Sequence, residues 1–403
     1  MHIKCTDGAP KVDMLDHLPP LPLFVDYGHT WSGALTEQDE SGIYHALRLH
    51  DRVYHIGLKL PPSILHKVFV LLDGQFPILE RLYLTFSTTS ENSLPLTLPK
   101  AFLAPNLRCL ALNSIRLPKR LQFLTSTVSL VELVLSNIQT SSYFRPRLLV
   151  ARLSSLSQLK ELSIGFSIPI PRPSTERALL GEQGAPTTLP SLKKLWFRGV
   201  SAYLESLVSQ IRAPLLEQLS ITLFNQIAFA LPHLSYLINL TEAFKLPSAA
   251  VGFGRDEVYV TLVHQGLKWR PFFLRVTCKQ LDWQIDCAAQ ICHALMPVLS
   301  CVEQLWLEHS YGEISTELQN GAIDSVTWHD LIRSFIWVKE LYIDKVLLEE
   351  LSCALQVDEV GSDPGFLPNL RYIYAADNLF GLFMDSRQVA GRPVQFTTQL
   401  RRY

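Results

Sequence analysis

Charge is scarce and evenly balanced in this chain of 403 residues, with 36 Lys and Arg against 37 Asp and Glu and a net charge of -1. Nothing in that balance draws the protein to nucleic acid or to an anionic membrane. The basic groups at Lys119 and Arg120, and at Arg401 and Arg402, are pairs, whereas phosphate-backbone binding recruits several cations together. A long apolar run is missing too. The most apolar stretch, Ile227 to Leu246, is broken by Pro232, His233, Asn239 and Glu242, which excludes it as a membrane span. The 7 cysteines are odd in number and unevenly spread, and no apolar leader stands at the N-terminus, so an intracellular location, cytoplasmic or nuclear, is expected. On that expectation the acceptor pattern Asn239-Leu240-Thr241 stays unmodified.

Catalytic signatures are lacking as well. The 12 histidines form no HExxH, and no serine or cysteine lies in a nucleophile elbow. Cys287, Cys292 and His293 make a C-x4-C-H run without a second ligand pair, and a helical reading turns Cys292 to the core with Ile285 and Ala288. Gly252-Phe253-Gly254, followed by Arg255, lacks the third glycine and the βαβ context of a phosphate loop and reads as a turn. The chain is expected to be no enzyme and to carry no metal and no cofactor.

What the chain does have is a repeat. Five segments begin with proline and continue as Leu-x-x-Leu-x-Leu or a close variant: PILERLYL from Pro77, PNLRCLAL from Pro105, PSLKKLWF from Pro190, PLLEQLSI from Pro214 and PNLRYIYA from Pro368. Aligned on the first apolar anchor, the units start at Val53, Leu79, Leu107, Leu130, Leu159, Leu192, Leu216, Val302, Val338 and Leu370. A period of roughly 20 to 50 residues means stacked units, none of which can bury its apolar face alone. The spacing is uneven and long enough for a helix in each crossover between parallel strands. Helical periodicity supports this after Pro62 (Ile64, Leu65, Val68, Phe69, Leu72), over Tyr203 to Ile211, and more weakly over Ile285 to Leu295 and Trp328 to Phe335.

The expected fold is therefore α/β, an irregular leucine-rich-repeat solenoid with a curved parallel sheet on the concave side and helices on the convex side. Residues 1–50 read as a capping or partial repeat region and 51–403 as the array, in one body. Within it, segment 224–301 is irregular and residues 169–190 form a long loop. The irregular segment holds two β-rich runs, 257–263 and 272–278, read as degenerate units or a hairpin insertion. The proline before each strand reads as a stop to the preceding helix. Ile115, Ile138, Val200 and Val346 read as a third apolar position where strands exit. Leu18 to Val25 is a possible first strand and the exposed edge.

Most of the chain resembles a large fungal family of F-box proteins with irregular leucine-rich repeats, through CTDGAP near Cys5, LPLFVDY near Leu21, DRVYHIGL from Asp51, CKQLDW from Cys278 and VEQLWLE from Val302. The resemblance implies repeats that hold a protein substrate, joined through an N-terminal F-box and a Skp-type adaptor to a ubiquitin ligase. LPPSILHKVFVLL, from Leu60 to Leu72, looks like the opening of an F-box helix. Its neighbours read as repeat strands, so it is expected to be a repeat helix, and the F-box is expected to be absent from this chain. A Skp-type adaptor is then a partner only if an F-box lies upstream.

Strand alternation selects candidate binding residues. If the leucines point inward, the residue between the last two points outward. That column reads Tyr83, Ala111, Val134, Ser163, Trp196, Ser220, Trp306, Tyr342 and Tyr374. Arg198, Glu308 and Asp344 follow at the next outward position. Exposed Trp, Tyr and Arg dominate binding hot spots, so Tyr83, Trp196, Arg198, Trp306, Glu308, Tyr342 and Tyr374 are the expected partner-binding set on the concave face. The same rings could instead be covered, or could simply stack along the sheet.

Overall fold

A computed structural model describes residues 3–6, 19–27, 35–86, 96–117, 123–139, 144–167, 186–226, 228–264, 270–278, 281–309, 325–356 and 367–398. The expected loop at 169–190 lies outside these residues as far as 185, as do both basic pairs. The chain gathers into two compact units: Met1–Gly199 with Ser209–Leu216, and Val200–Val208 with Glu217–Tyr403.

In the first unit β1 (Ile3–Thr6), β2 (Leu23–Tyr27), β3 (Val53–Leu60), β4 (Arg81–Phe86), β5 (Cys109–Asn113), β6 (Glu132–Ile138) and β7 (Glu161–Phe166) lie side by side in chain order. A two-residue β8 (Thr187–Thr188) leaves the main sheet to pair with β10 (Ile211–Arg212), and β9 (Lys194–Gly199) takes the place beside β7. Every pair is parallel. The crossovers hold α1 (Glu37–Arg48), α2 (Pro62–Leu71), α3 (Phe123–Ser126) and α4 (Pro146–Leu153). In α1 a reciprocal Thr36 and Asp39 capping box closes the first turn, and Ile43, Ala46 and Leu47 are buried. The expected edge strand is corrected: it runs Leu23–Tyr27, and β1 pairs along its flank. The Leu60 to Leu72 segment supplies α2, the crossover between β3 and β4.

The second unit holds α5 (Ser201–Val208), β11 (Gln218–Leu223), α6 (Pro232–Leu240), β12 (Ser248–Phe253), β13 (Glu257–Val263), β14 (Phe272–Thr277), α7 (Leu281–Ala294), α8 (Met296–Leu299), β15 (Gln304–His309), α9 (Ser325–Ile332), β16 (Glu340–Ile343), α10 (Leu348–Gln356), β17 (Tyr372–Tyr374), α11 (Gly381–Val389) and β18 (Gln395–Thr397). Its sheet runs β11-β14-β13-β12-β15-β16-β17-β18. β13 is antiparallel to both neighbours, and the other pairs are parallel. Segment 224–301 thus holds a three-stranded meander, β12 to β14, with β12 added to the two predicted runs and the helices α6, α7 and α8 around it. The leucine register lapses here because the meander's residues do not follow the repeat pattern.

The repeat motif has a definite backbone cause. The N–H of Leu79 donates to the carbonyl of Phe76 at 3.3 Å, that of Leu107 to Ala104 at 3.1 Å, and the same i to i−3 bond recurs at Leu130, Leu159, Leu192, Leu216, Val302, Val338 and Leu370. Each is a tight turn. The motif proline is its second residue, where a fixed φ fits the turn, so proline here shapes a turn as well as stopping a helix. The two residues between the first leucines also have a role. The carbonyl of Glu80 accepts from the N–H groups of both Arg108 and Cys109, Arg108 serves Val131 and Glu132, and Lys339 serves Arg371 and Tyr372. Asn106 and Asn369 each reach back one unit, donating to the carbonyls of Pro77 at 2.6 Å and Ile336 at 2.9 Å. All ten anchors are buried to 2% exposure or less. Of the exit positions, Ile115, Ile138 and Val200 are buried. Val346 is corrected to exposed, because a short 3-10 helix, Lys345–Leu347, turns Leu347 inward instead.

Candidate functional site

Parallel pairing aligns the predicted column from strand to strand. In the first unit Asp26, Gly57, Tyr83, Ala111, Val134, Ser163 and Trp196 share one register line. Strands lie about 4.8 Å apart, so Tyr83 and Trp196, four strands apart, are separated by about 19 Å and form no single cluster. Trp196 is half-buried, with the Lys194 ammonium 5.7 Å from its ring centre. Lys194 is held in turn by Glu161 at 2.6 Å. Arg198 is exposed on the same face of the same strand.

Tyr83 lines a groove of about 500 Å³ with Phe24, Asp26, His55, Gly57 and Asn113. Phe24 and His55 stack at 3.8 Å, and His55 lies 5.6 Å from the Tyr83 ring. Burial, with the Cys109 thiol beside it, raises the Tyr83 phenol well above its usual range. Gly57 leaves the floor open, since a Cβ there would lie 2.7 Å from the Asp26 carboxylate and 3.0 Å from the His55 ring. Sequence reasoning missed this lining because it began the column at Leu79. The signal was the glycine in DRVYHIGL, one strand earlier in register with Tyr83.

In the second unit the column brings three rings together. Trp306 stacks on Tyr342 at 3.7 Å with 3° between planes, and Tyr342 on Tyr374 at 4.4 Å with 6°. This corrects the expected exposure. Trp306 is only 9% exposed and Tyr342 3%, because in-register rings cover one another and Ala250 and Val263 close the end of the stack. Tyr374 remains half-buried. A polar row runs beside the rings. The Tyr342 hydroxyl donates to Glu340 Oε2 at 2.6 Å, Gln304 Nε2 donates to the same oxygen at 2.9 Å, and Ser248 Oγ donates to Gln304 Oε1 at 2.7 Å.

Glu308 is engaged as well. Its Oε2 accepts from the Tyr259 hydroxyl at 2.7 Å and lies 3.9 Å from Arg270. Burial first, then Glu308, pushes the Tyr259 phenol up to about 12. Gly252 makes room for that ring: a Cβ there would sit 2.0 Å from Tyr259 Cζ. Gly252 therefore lies inside β12, and the predicted turn falls after it, at Gly254.

The remaining reactive groups do not converge. Cys287 and Cys292 are buried while His293 is exposed on the same helix, and the described residues hold no group of three His, Cys, Asp or Glu placed to bind a metal. Burial raises the Cys5 thiol to about 11 and the Cys292 thiol further, and Cys287 is raised by the Cys278 thiol and by burial. Such thiols stay protonated near neutrality and are poor nucleophiles. Among the described residues no helix is long and apolar enough to cross a membrane.

Fold and face together define a repeat-built α/β protein with long, mostly parallel sheets. No protein-family model and no curated protein matches the sequence. Among solved structures the chain is similar to the leucine-rich-repeat-containing protein LegL7 from Legionella pneumophila, at 12% identity over 94% of this chain and 91% of that one, with a TM-score of 0.30.

Proposed function

We propose that the chain is a non-enzymatic recognition module that holds a protein partner on the outward faces of its strands. The observation that carries this reading is the pair on β9. Trp196 and Arg198 stand on one face of β9, which pairs along its length with β7, and Lys194, fixed by Glu161, braces the ring. Anchors on rigid strands lose little entropy on binding, and Trp and Arg supply the contact types that dominate interfaces. Tyr83 and Tyr374, both half-buried, add smaller contacts. The paired variant Trp196→Ala, Arg198→Ala tests the reading. Partners cross-linked to the wild-type chain should be lost at an unchanged melting temperature; full retention of those partners would sink it.

The finer role, substrate selection for a ubiquitin ligase, is supported by the family resemblance alone. A stand-alone repeat scaffold is the second reading. It is favoured by the placement of Pro62–Leu71 between two repeat strands, where that helix is committed to the sheet and is not available to a Skp-type adaptor.

A further inference from the structure

Glu340, at the start of β16, is held through one of its two carboxylate oxygens. The Tyr342 hydroxyl and Gln304 Nε2 both donate to Oε2, at 2.6 and 2.9 Å, and the Ser248 hydroxyl orients Gln304 in turn at 2.7 Å. Two donors fill the lone pairs of Oε2. Oε1 receives no hydrogen bond among the described residues. The carboxylate lines a pocket of about 300 Å³ with Ser248, His264, Glu303, Gln304 and Lys339. Lys339 is taken by Glu303 at 2.6 Å, so Glu340 is the lining carboxylate without an ion pair among the described residues. The lining thus sets two carboxylates against one ammonium and the exposed His264 imidazole. A second pocket, of about 290 Å³, adjoins the first at Pro247, which lines both. Its walls are Ile238, Phe244, Leu246, Pro297 and Val298, with Cys301 at an exposed position, and its Lys245 is paired with Glu242.

We propose that the two pockets together bind an extended segment of a partner protein, a lysine side chain entering the acidic pocket and an apolar side chain its neighbour. The lysine follows from the hydrogen bonds already made. A guanidinium fork engages both oxygens of a carboxylate, and Oε2 is full, whereas an ammonium makes its bond to Oε1 alone. The extended segment follows from the pairing of the pockets. Leu246 lines the apolar one and Ser248 the acidic one, with Pro247 between them. A free amine fills only the first of these; a chain with side chains branching from it fills both. This inference rests on the protein-recognition reading above and adds the chemistry of the partner, but it uses neither Trp196 nor Arg198.

The test selects peptides from a random displayed library on the full chain. Enriched sequences should share a lysine with an apolar residue close by. The strongest is then synthesised in three forms, with lysine, with Nε-acetyl-lysine and with arginine at that position, and titrated by calorimetry. Acetylation should weaken binding by at least about tenfold, the size expected when a charge-assisted hydrogen bond is lost, and the arginine form should bind less tightly than the lysine form. Glu340→Gln should erase the difference between lysine and acetyl-lysine. Cys301→Trp, which fills the apolar pocket from an exposed position, should weaken all three forms. No enrichment, enrichment without lysine, or equal affinity for lysine and acetyl-lysine overturns the site, and the acetylated probe reads the charge without altering the protein. Arginine binding as tightly as lysine overturns the ammonium assignment. Peptides that tolerate Glu340→Gln but are lost with Trp196→Ala, Arg198→Ala bind at β9; they overturn this inference and leave the recognition reading standing.

Discussion

At the scale of single residues, position in the alternation fixes which way a side chain points, while its depth depends on neighbours one repeat away. Trp196 and Trp306 occupy the same place in Leu-x-x-Leu-x-Leu. Ser163 stands beside Trp196 on one flank, whereas Trp306 lies between Ala250 and the stacked Tyr342. Their costs on truncation should therefore differ. Trp306→Ala removes a buried ring from a stack and should destabilise the fold by about 3–5 kcal/mol; Trp196→Ala, at a half-buried surface position, should cost well under half of that. Thermal or urea unfolding of the two variants checks this, and equal losses would mean that stacking contributes nothing. Composition and period could show that five of nine outward positions are aromatic. They could not show the stacking, because Trp306, Tyr342 and Tyr374 come from separate repeats whose register only the folded sheet defines.

Secondary-structure elements were legible where leucine keeps time. The anchors, the crossover α2 and the existence of the helices α5, α7 and α9 follow from apolar period, but not their bounds: the run read to Ile211 ends as helix at Val208, with Ile211 in β10, and the run read to Phe335 ends at Ile332. β12 was not legible, because Ser-Ala-Ala-Val-Gly-Phe carries small residues on both faces and neither a repeat nor an alternation signal. Contacts between elements were equally invisible, and the start of α6 is an instance. Its N-terminal N–H groups at His233 and Leu234 donate to the two carboxylate oxygens of Glu205, on α5, at 2.8 and 2.9 Å. Burial nevertheless raises the Glu205 pKa above 4.5, with the two N–H bonds offsetting only part of that penalty. The sign follows. A carboxyl raised on folding contributes stability that is fully present below its unfolded pKa and is lost as pH rises through the folded value. Glu205→Gln keeps an acceptor without the charge, so its stability should fall less than wild type as pH rises from about 4 upward. Glu205→Ala, which leaves helix N–H groups without this partner, should cost about 1–2 kcal/mol near neutral pH. Parallel pH profiles for wild type and Glu205→Gln would refute the assignment.

For the molecule as a whole, stability should be distributed as in other stacked repeats, where each unit contacts its neighbours and little else. Within the first unit β4, β5 and β6 are paired on both flanks, whereas the described sheet gives β1 the single partner β2. In the second, β12, β13 and β15 are flanked on both sides and β18 pairs with β17 alone. Opening a terminal strand breaks one ladder, but opening an interior strand breaks two and exposes anchors such as Leu107 and Leu130 that are otherwise sealed. Hydrogen exchange on the intact chain should therefore show graded protection within each unit. Exchange should be fast in Ile3–Thr6 and Gln395–Thr397 and slowest in β5, β6, β12 and β13, with the slow amides including those that share one acceptor, such as Val131 and Glu132 on the Arg108 carbonyl. A single protection level across all strands would instead mean that each unit opens all at once, and that the repeat, plain as it is in the leucines, does not govern how the protein comes apart.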